Sequence, residues 1–349
     1  MSNDWSIRPA TPDDGKAIVE LFRSVGWKYE ISHWNWKYLE NPIGKRCILV
    51  AQESGHIVGH YAAVPTYMNL KGLKVLGAQR VDAAVDARYR GKGMFGTLYR
   101  ESCRAAASDG IQFLYGVPNE MSYGRLIRLG TTDSPGLPRL EKILDTKAVI
   151  EMTTRSARIA TVAEKPAHAL LKLWKGDRKA KSVDHVKVCR VHALDERFDD
   201  LWRKAKDDSR VSVWKDSGYL NWRYLACPDR EYTVLIAEER GNLIGFTVLR
   251  CVFEELRRGY IVDFLMLPGR STAALLLISA TLDYFREQGM HMAICHVFEH
   301  TPIYDLFSRQ GFFKHGTNHF TTLPLASSTT QIVSDYRQWH LMGGDFDVF

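Results

Sequence analysis

The chain has 349 residues, 45% hydrophobic and 25% charged, which is the globular norm and enough for two cores of ordinary size. Its net charge of +7 suits a polyanionic small ligand but is too modest for nucleic acid, and no RNA- or DNA-binding motif accompanies it. The scattered cysteines, Cys47, Cys103, Cys189, Cys227, Cys251 and Cys295, contain no C-x-x-C pair, so they suggest neither a zinc site nor a disulfide framework.

Reduced thiols fit a cytoplasm best. The polar stretch Met1 to Pro12 lacks the apolar core of a signal peptide and no apolar run is long enough to cross a bilayer, so a soluble cytoplasmic protein is expected. Trp5 to Ala10 reads as a strand. Thr11-Pro12-Asp13-Asp14 then supplies an N-cap, a first-position proline and first-turn acids for a helix with Ile18, Leu21, Phe22 and Val25 on one face. After a Trp-rich segment, Cys47–Gln52 and Ile57–Val64 form strands joined at Ser54-Gly55, and Val81–Val85 is a further strand.

That strand feeds Arg88-Tyr89-Arg90-Gly91-Lys92-Gly93-Met94-Phe95-Gly96-Thr97, which opens a helical pattern reaching about Ala107. The glycines let the chain turn sharply and let an anion approach the amides, the helix N-terminus favours negative charge, and Arg88, Arg90 and Lys92 add positive charge. The stretch therefore reads as a pyrophosphate cradle. Gly91, Gly93 and Gly96 also spell the dinucleotide G-x-G-x-x-G, but that pattern belongs directly after a first strand, and three strands' worth of chain precede it here. A P-loop fails for lack of a closing Gly-Lys-Ser/Thr. Beyond Gly110, Ile111–Val117 is a buried strand and Pro118-Asn119 starts a helix ending at Gly130.

An internal repeat follows. Asn35-Trp36-Lys37-Tyr38-Leu39-x-x-Pro42 recurs as Asn221-Trp222-Arg223-Tyr224-Leu225-x-x-Pro228 at an offset of 186, which also carries Gly55 to Gly241 and Gly59 to Gly245. Val81-Asp82, Tyr123 and Gly130 answer Val262-Asp263, Tyr304 and Gly311 at 181. The expected division is 1–145, a basic helical connector over 146–190, a second similar domain over 191–325, and a tail over 326–349. The connector, with Lys165, Lys172, Lys175 and Lys179 among apolar residues, reads either as a membrane-touching amphipathic helix or as a solvated linker. In the second copy Leu267-Pro268-Gly269-Arg270-Ser271-Thr272 replaces the cradle, and Gly93 and Gly96 have no glycine counterparts. This half is expected to bind no nucleotide-bearing cofactor and to shape an acceptor pocket.

Arg88-Tyr89-Arg90-Gly91-Lys92-Gly93 resembles the acyl-CoA signature Arg/Gln-x-x-Gly-x-Gly/Ala of the GCN5-related N-acetyltransferase (GNAT) superfamily. The resemblance implies an α/β fold of two tandem domains, each a mixed, mostly antiparallel sheet flanked by helices. It also implies acyl transfer from acetyl-CoA or another acyl-CoA to an amine of a small molecule or peptide. Ala83 or Val85 would offer a backbone N–H to the oxyanion, and Arg88, Arg90, Gly91, Lys92, Gly93, Met94, Phe95, Gly96 and Thr97 would hold the diphosphate. Asn119 would touch the pantetheine or serve simply as an N-cap.

An attacking amine must lose a proton, and about three pH units of deprotonation correspond to roughly 4 kcal/mol. Asp82, interrupting an apolar strand, is the candidate base, the bland alternative being an Asp satisfied by neighbouring groups. The family's usual tyrosine acid is replaced by Leu126, so Tyr123, Ser122 or water takes its place. His291, His296 and His300 lack a suitably spaced carboxylate, and no metal is expected. Two rivals stay open: a non-catalytic acyl-CoA sensor or scaffold, and transfer from an acyl carrier protein or aminoacyl-tRNA.

Overall fold

The computed structural model describes residues 5–155 and 185–347. Most of the basic connector, including Lys165 to Lys179, lies outside the described residues, and so does the choice between its two readings.

The first half begins with β1 (Ser6–Pro9), α1 (Gly15–Ser24) and α2 (Ile31–Tyr38). Arg8 and the first-turn Asp14 form an ion pair at 2.7 Å that fixes β1 to the entrance of α1. The long hairpin β2 (Cys47–Glu53), β3 (His56–Leu70) and β4 (Leu73–Val85) follows, then α3 (Met94–Ser108), β5 (Phe113–Gly116) and α4 (Glu120–Arg128). Alternating apolar residues bury one face of the sheet on α1 and α2 around Ile18, Phe22 and Trp34, and the other on α3 around Met94, Leu98 and Tyr99.

The chain then crosses over. β6 (Leu137–Ile143) joins the second sheet, α5 (Thr146–Thr154) follows, and β7 (Val186–Val191) starts the second half proper. There α6 (Glu196–Ala205), α7 (Ser217–Leu220), β9 (Thr233–Glu239), β10 (Asn242–Val252), β11 (Arg258–Met266), α8 (Ser271–Glu287), β12 (Met292–His296), α9 (Pro302–Arg309) and β13 (Phe313–Asn318) repeat the plan, whereas β8 (Val211–Val213), between α6 and α7, joins the first sheet. β14 (Thr321–Pro324) then returns to the first sheet.

The sheets run β1-β2-β3-β4-β5-β14, with β8 on β3, and β13-β6-β12-β11-β10-β9-β7. Every neighbour pair is antiparallel except β4/β5 and β11/β12, so the fold is the mixed, mostly antiparallel α/β tandem expected. Strand pairing crosses the expected boundaries: β6 lies in the second sheet, β8 and β14 lie in the first, β7 begins before residue 191, and the 326–349 stretch contributes to the core. Trp339, Leu341 and Phe346 are buried with Phe113, Tyr115, Val211 and Phe298 in one cluster that serves both sheets. Hydrophobic burial, not chain order, decides where a strand goes: β6 presents Leu137 and Leu140 to covered surface, and β14 covers the open edge of β5.

The repeat marks the seam. Trp36 and Trp222 stack with ring centroids 5.0 Å apart, and each indole donates to the other's backbone carbonyl, at 2.8 and 3.1 Å. A pair related by the 186-residue offset therefore faces itself across the junction.

Candidate active site

The glycine stretch forms the turn into α3. Gly91 and Gly93 have φ of +80° and +83°, a region open to glycine, and an added Cβ at either would meet nothing within 4 Å. Gly93 is the N-cap and supplies no capping side chain, so the first-turn N–H groups, which have no intrahelical acceptor, are left for a ligand. Arg90 and Lys92 form no ion pair among the described residues, while Arg88 is tied to Asp86 at 2.9 Å. The Met94 side chain is buried beneath β3 and Gly59, so only its backbone faces the turn. The Thr97 hydroxyl donates to the Gly93 carbonyl.

A cleft of about 240 Å³ opens beside this helix because β4 and β5 pair only at Ala78/Leu114 and Gln79/Tyr115 and then splay. Its walls include Tyr61, Arg80, Asp82, Ala83, Phe95, Asn119, Ser122, Leu126 and, from the far end of the chain, Asp347. A bulge in β4 between the Ala62/Val81 and His60/Ala84 pairs takes one residue out of the ladder, and Asp82 adopts φ +50° there. The buried His60 ring lies with Nδ1 2.6 Å from the Asp82 carbonyl, which requires the proton on Nδ1. Burial pushes its pKa to about 4, so the ring is neutral and braces the bulge.

The bulge turns the Asp82 carboxylate toward α2. Its Oδ2 accepts from Tyr29 at 2.9 Å, Tyr38 at 2.7 Å and Lys37 at 3.0 Å, and Lys37 also bonds Asp347 Oδ2 at 3.0 Å. Gln79 donates to the other Asp347 oxygen. Burial alone would raise Asp82, but the Lys37 charge and the Tyr38 hydrogen bond outweigh it and hold the carboxyl below its usual range. Burial would lower Lys37, yet the two carboxylates keep it well above the ordinary ammonium value. The cluster carries two carboxylates and one ammonium, hence a net charge of −1 at the cleft edge.

The structure sorts the residues singled out in the sequence. Asp82, Ala83, Phe95 and Asn119 line the cleft, and Val85 continues β4 opposite Gly59. Asn119 caps α4, its side chain accepting from the Ser122 N–H. Tyr123 does not line the cleft. Its hydroxyl donates to Asp133 at 2.6 Å and its ring stacks on His319, so the hydroxyl nearer the cleft is that of Ser122. Leu126 makes the wall apolar.

Sequence reasoning missed Tyr29, Lys37, Tyr38, Arg80 and Asp347. The repeat was the available signal for two of them, because Lys37 and Tyr38 sit inside it. His291, His296 and His300 share no metal-sized cluster. Among the described residues, only His33, Cys227 and Asp229 have ligand atoms within 4.8 Å of one another, and there His33 and Asp229 already bond at 2.8 Å.

The second half builds the same cluster and seals it. Tyr224 and Lys215 bond Asp263 at 2.9 and 2.5 Å, and Lys215 bonds Asp345 at 2.9 Å, with both carboxylates at 0% side-chain exposure. Burial and Asp263 raise Asp345 to about 6 despite Lys215. Its own cleft, of about 140 Å³, has Lys215 of the cluster on its wall among mainly apolar neighbours such as Phe264, Leu267, Val297, Ile303 and Leu341, and Arg270 at its helix entrance is tied to Glu239 at 2.9 Å.

Residues 6–127 match the family model described as Acetyltransferase (GNAT) domain. Among solved structures, the chain is similar to an Enterococcus faecalis V583 protein described as a probable N-acyltransferase (13% identity, TM-score 0.67, 94% of this chain and 74% of that one). It is also similar to a Kribbella flavida GCN5-related N-acetyltransferase (16%, 0.62, 95% and 75%). A third likeness is to Saccharomyces cerevisiae N-myristoyltransferase with bound myristoyl-CoA (10%, 0.61, 93% and 83%). These likenesses show the fold. No curated protein matches the sequence.

Proposed function

We propose that this chain, which carries a GNAT acetyltransferase domain, moves an acyl group from a coenzyme A thioester to an amine held on the α2 side of the β4/β5 cleft. The observation that carries this reading is the juxtaposition of an uncapped, glycine-opened helix N-terminus with a cleft edged by a net-negative cluster. The N–H groups of the α3 turn, with Arg90 and Lys92, suit the diphosphate. The bound thioester supplies an acyl carbon activated toward amines.

On the other face, the −1 cluster attracts an ammonium, and Asp82, kept ionised by Lys37, receives its proton. Ala83, beside the β4 bulge and on the cleft wall, is the candidate for the backbone N–H that receives the acyl oxygen. Ser122 is the hydroxyl available to the departing sulfur. A non-catalytic acyl-CoA sensor is the second reading, favoured by Leu126 and by the engagement of Tyr123 with Asp133.

Two variants at one position test the cofactor site. Gly93→Ala and Gly93→Glu share the cost of a positive φ, about 1–2 kcal/mol, but only Glu brings a charge to the diphosphate position. Calorimetry should show CoA affinity falling far more in Gly93→Glu, and equal affinities in the two folded variants would remove CoA from this turn. Acyl-CoA-dependent thiol release with a panel of amines separates transfer from sensing.

A further inference from the structure

Arg80 stands on β4 two residues before Asp82, 8% exposed, with its side chain on the cleft wall. Its Nη2 donates to the carbonyl and hydroxyl of Thr321 on β14, at 2.9 and 2.6 Å, and both acceptors are neutral. Nε and Nη1 are buried without a hydrogen-bond partner, and among the described residues no carboxylate pairs with the guanidinium. The buried Tyr99 hydroxyl of α3 lies close enough to interact with Arg80 and Cys103, and as a neutral group it gives the guanidinium no counter-charge. A buried charge with unused donors is costly unless something neutralises it. The other buried cation beside this cleft, Lys37, is neutralised by two carboxylates, Asp82 and Asp347.

The face on which Arg80 points says what the missing anion belongs to. Gln79 and Val81 face the α1/α2 side, where Gln79 bonds Asp347 and Val81 packs with Ile18 and Phe22. By strand alternation Arg80 faces the opposite layer, toward Tyr61 and α3. That is the donor side, whereas the amine would sit by Asp82 and Asp347. A carboxylate on the acceptor would also meet the −1 cluster before it met Arg80.

We propose that the acyl group carries its own carboxylate, so that the donor is the coenzyme A thioester of a dicarboxylic acid, with the distal carboxylate received by Arg80. The proposal rests on the acyl-transfer reading above. In the transfer the amine nitrogen bonds the thioester carbon, the C–S bond breaks with its electron pair going to sulfur, and the amine proton goes to Asp82. The products are an amide that keeps the distal carboxylate and the CoA thiol. A plain alkanoyl group would leave Arg80 unneutralised and press hydrocarbon against it.

The test measures binding of CoA, butyryl-CoA and succinyl-CoA to the full chain by calorimetry, because butyryl has a methyl where succinyl has the carboxylate. A hydrogen-bonded charge corresponds to about 10- to 100-fold, so succinyl-CoA should bind tighter than butyryl-CoA by that factor. Arg80→Met should erase the preference and Arg80→Lys should keep part of it. If Arg80→Met fails to fold, the comparison on the unaltered protein still decides. Equal affinity for the two thioesters overturns this proposal and leaves acyl transfer standing, whereas no affinity for CoA itself overturns both. Parallel weakening of butyryl- and succinyl-CoA in Arg80→Met would assign Arg80 to the shared part of the cofactor, and an Arg80-dependent preference for carboxylate-bearing amines would assign it to the acceptor. Either result refutes the proposal.

Discussion

Asp82→Asn distinguishes a base from a structural carboxylate. Asn keeps an oxygen for Tyr29, Tyr38 and Lys37, and Lys37 keeps Asp347 at 3.0 Å, so no buried cation is stranded. What is lost is the charge-assisted part of three hydrogen bonds, roughly 1 kcal/mol each, giving about 1–3 kcal/mol of stability after relaxation. Because the folded pKa of Asp82 lies below its ordinary 3.8, that stability is present above pH 4 and disappears as pH falls through the folded value. Turnover should suffer more. General-base catalysis contributes about 100- to 10,000-fold, and a carboxylate held below its usual range is a weak base, so the lower end is expected, about 2.7 kcal/mol of barrier. The assay is thiol release from an acyl-CoA with an amine acceptor across pH 6–10, alongside calorimetric CoA affinity. A variant with full rate and an unchanged pH profile would refute the assignment and leave Asp82 structural.

Trp339→Ala should cost about 3–5 kcal/mol in denaturant unfolding, because the ring is fully buried among Phe113, Tyr115 and Phe320; a loss under 1 kcal/mol would mean that the C-terminal segment is not anchored there. Asp345 titrates near 6 in the fold against 3.8 when exposed, so its contribution to stability is present in acid and declines between pH 4 and 6, by an amount on the order of 3 kcal/mol. Asp345→Asn should flatten that decline in unfolding curves taken at pH 4, 5, 6 and 7, and an unaltered slope would exclude Asp345 as its source. CoA titrated into the whole protein should give one site per chain, since the second cleft is mainly apolar and its Arg270 is engaged by Glu239, and a stoichiometry of two would overturn this.

What the sequence made legible was local. Caps, turns and the glycine stretch declare themselves because each rests on backbone chemistry within a few residues, as at Thr11 to Asp14 and Gly91 to Gly93. The tandem repeat announced the two sheets for the same reason. The exchange of β6 and β14 was not legible, since a strand of the form Leu-Pro-Arg-Leu-Glu-Lys-Ile carries no mark of which sheet edge it will cover. Arg80 and Asp347 carry no assignable chemistry in the sequence, because a basic residue in a strand or an acid in a tail is ordinary until its neighbours are known. The partners of Arg80 and Asp347 lie 241 and 310 positions away in sequence at Thr321 and Lys37.

The duplicated cluster separates fold from chemistry within one molecule. The offset of 186 maps Tyr38 to Tyr224, Lys37 to Arg223 and Tyr29 to Lys215, so the cation on the central carboxylate comes from a different position in each half. A C-terminal acid completes each: Asp347 in the first and Asp345 in the second. Access differs. Asp82 and Asp347 keep 10% and 19% of their side chains exposed at the cleft, whereas Asp263 and Asp345 keep none. A sealed carboxylate has no route to an amine, so the second cluster is structural, and its removal should have the opposite effect from that at Asp82. Asp263→Asn leaves Lys215 paired with Asp345 and so should fold, but with a stability loss of about 1–3 kcal/mol and a turnover per folded molecule within twofold of the parent. Removing the Asp263 charge should also let the Asp345 pKa fall, which carbon-detected titration of labelled Asp can follow. If Asp263→Asn instead abolished turnover while the protein stayed folded and bound CoA normally, the two clusters would be coupled across the Trp36–Trp222 seam, and the division between a chemical half and a structural half would be wrong.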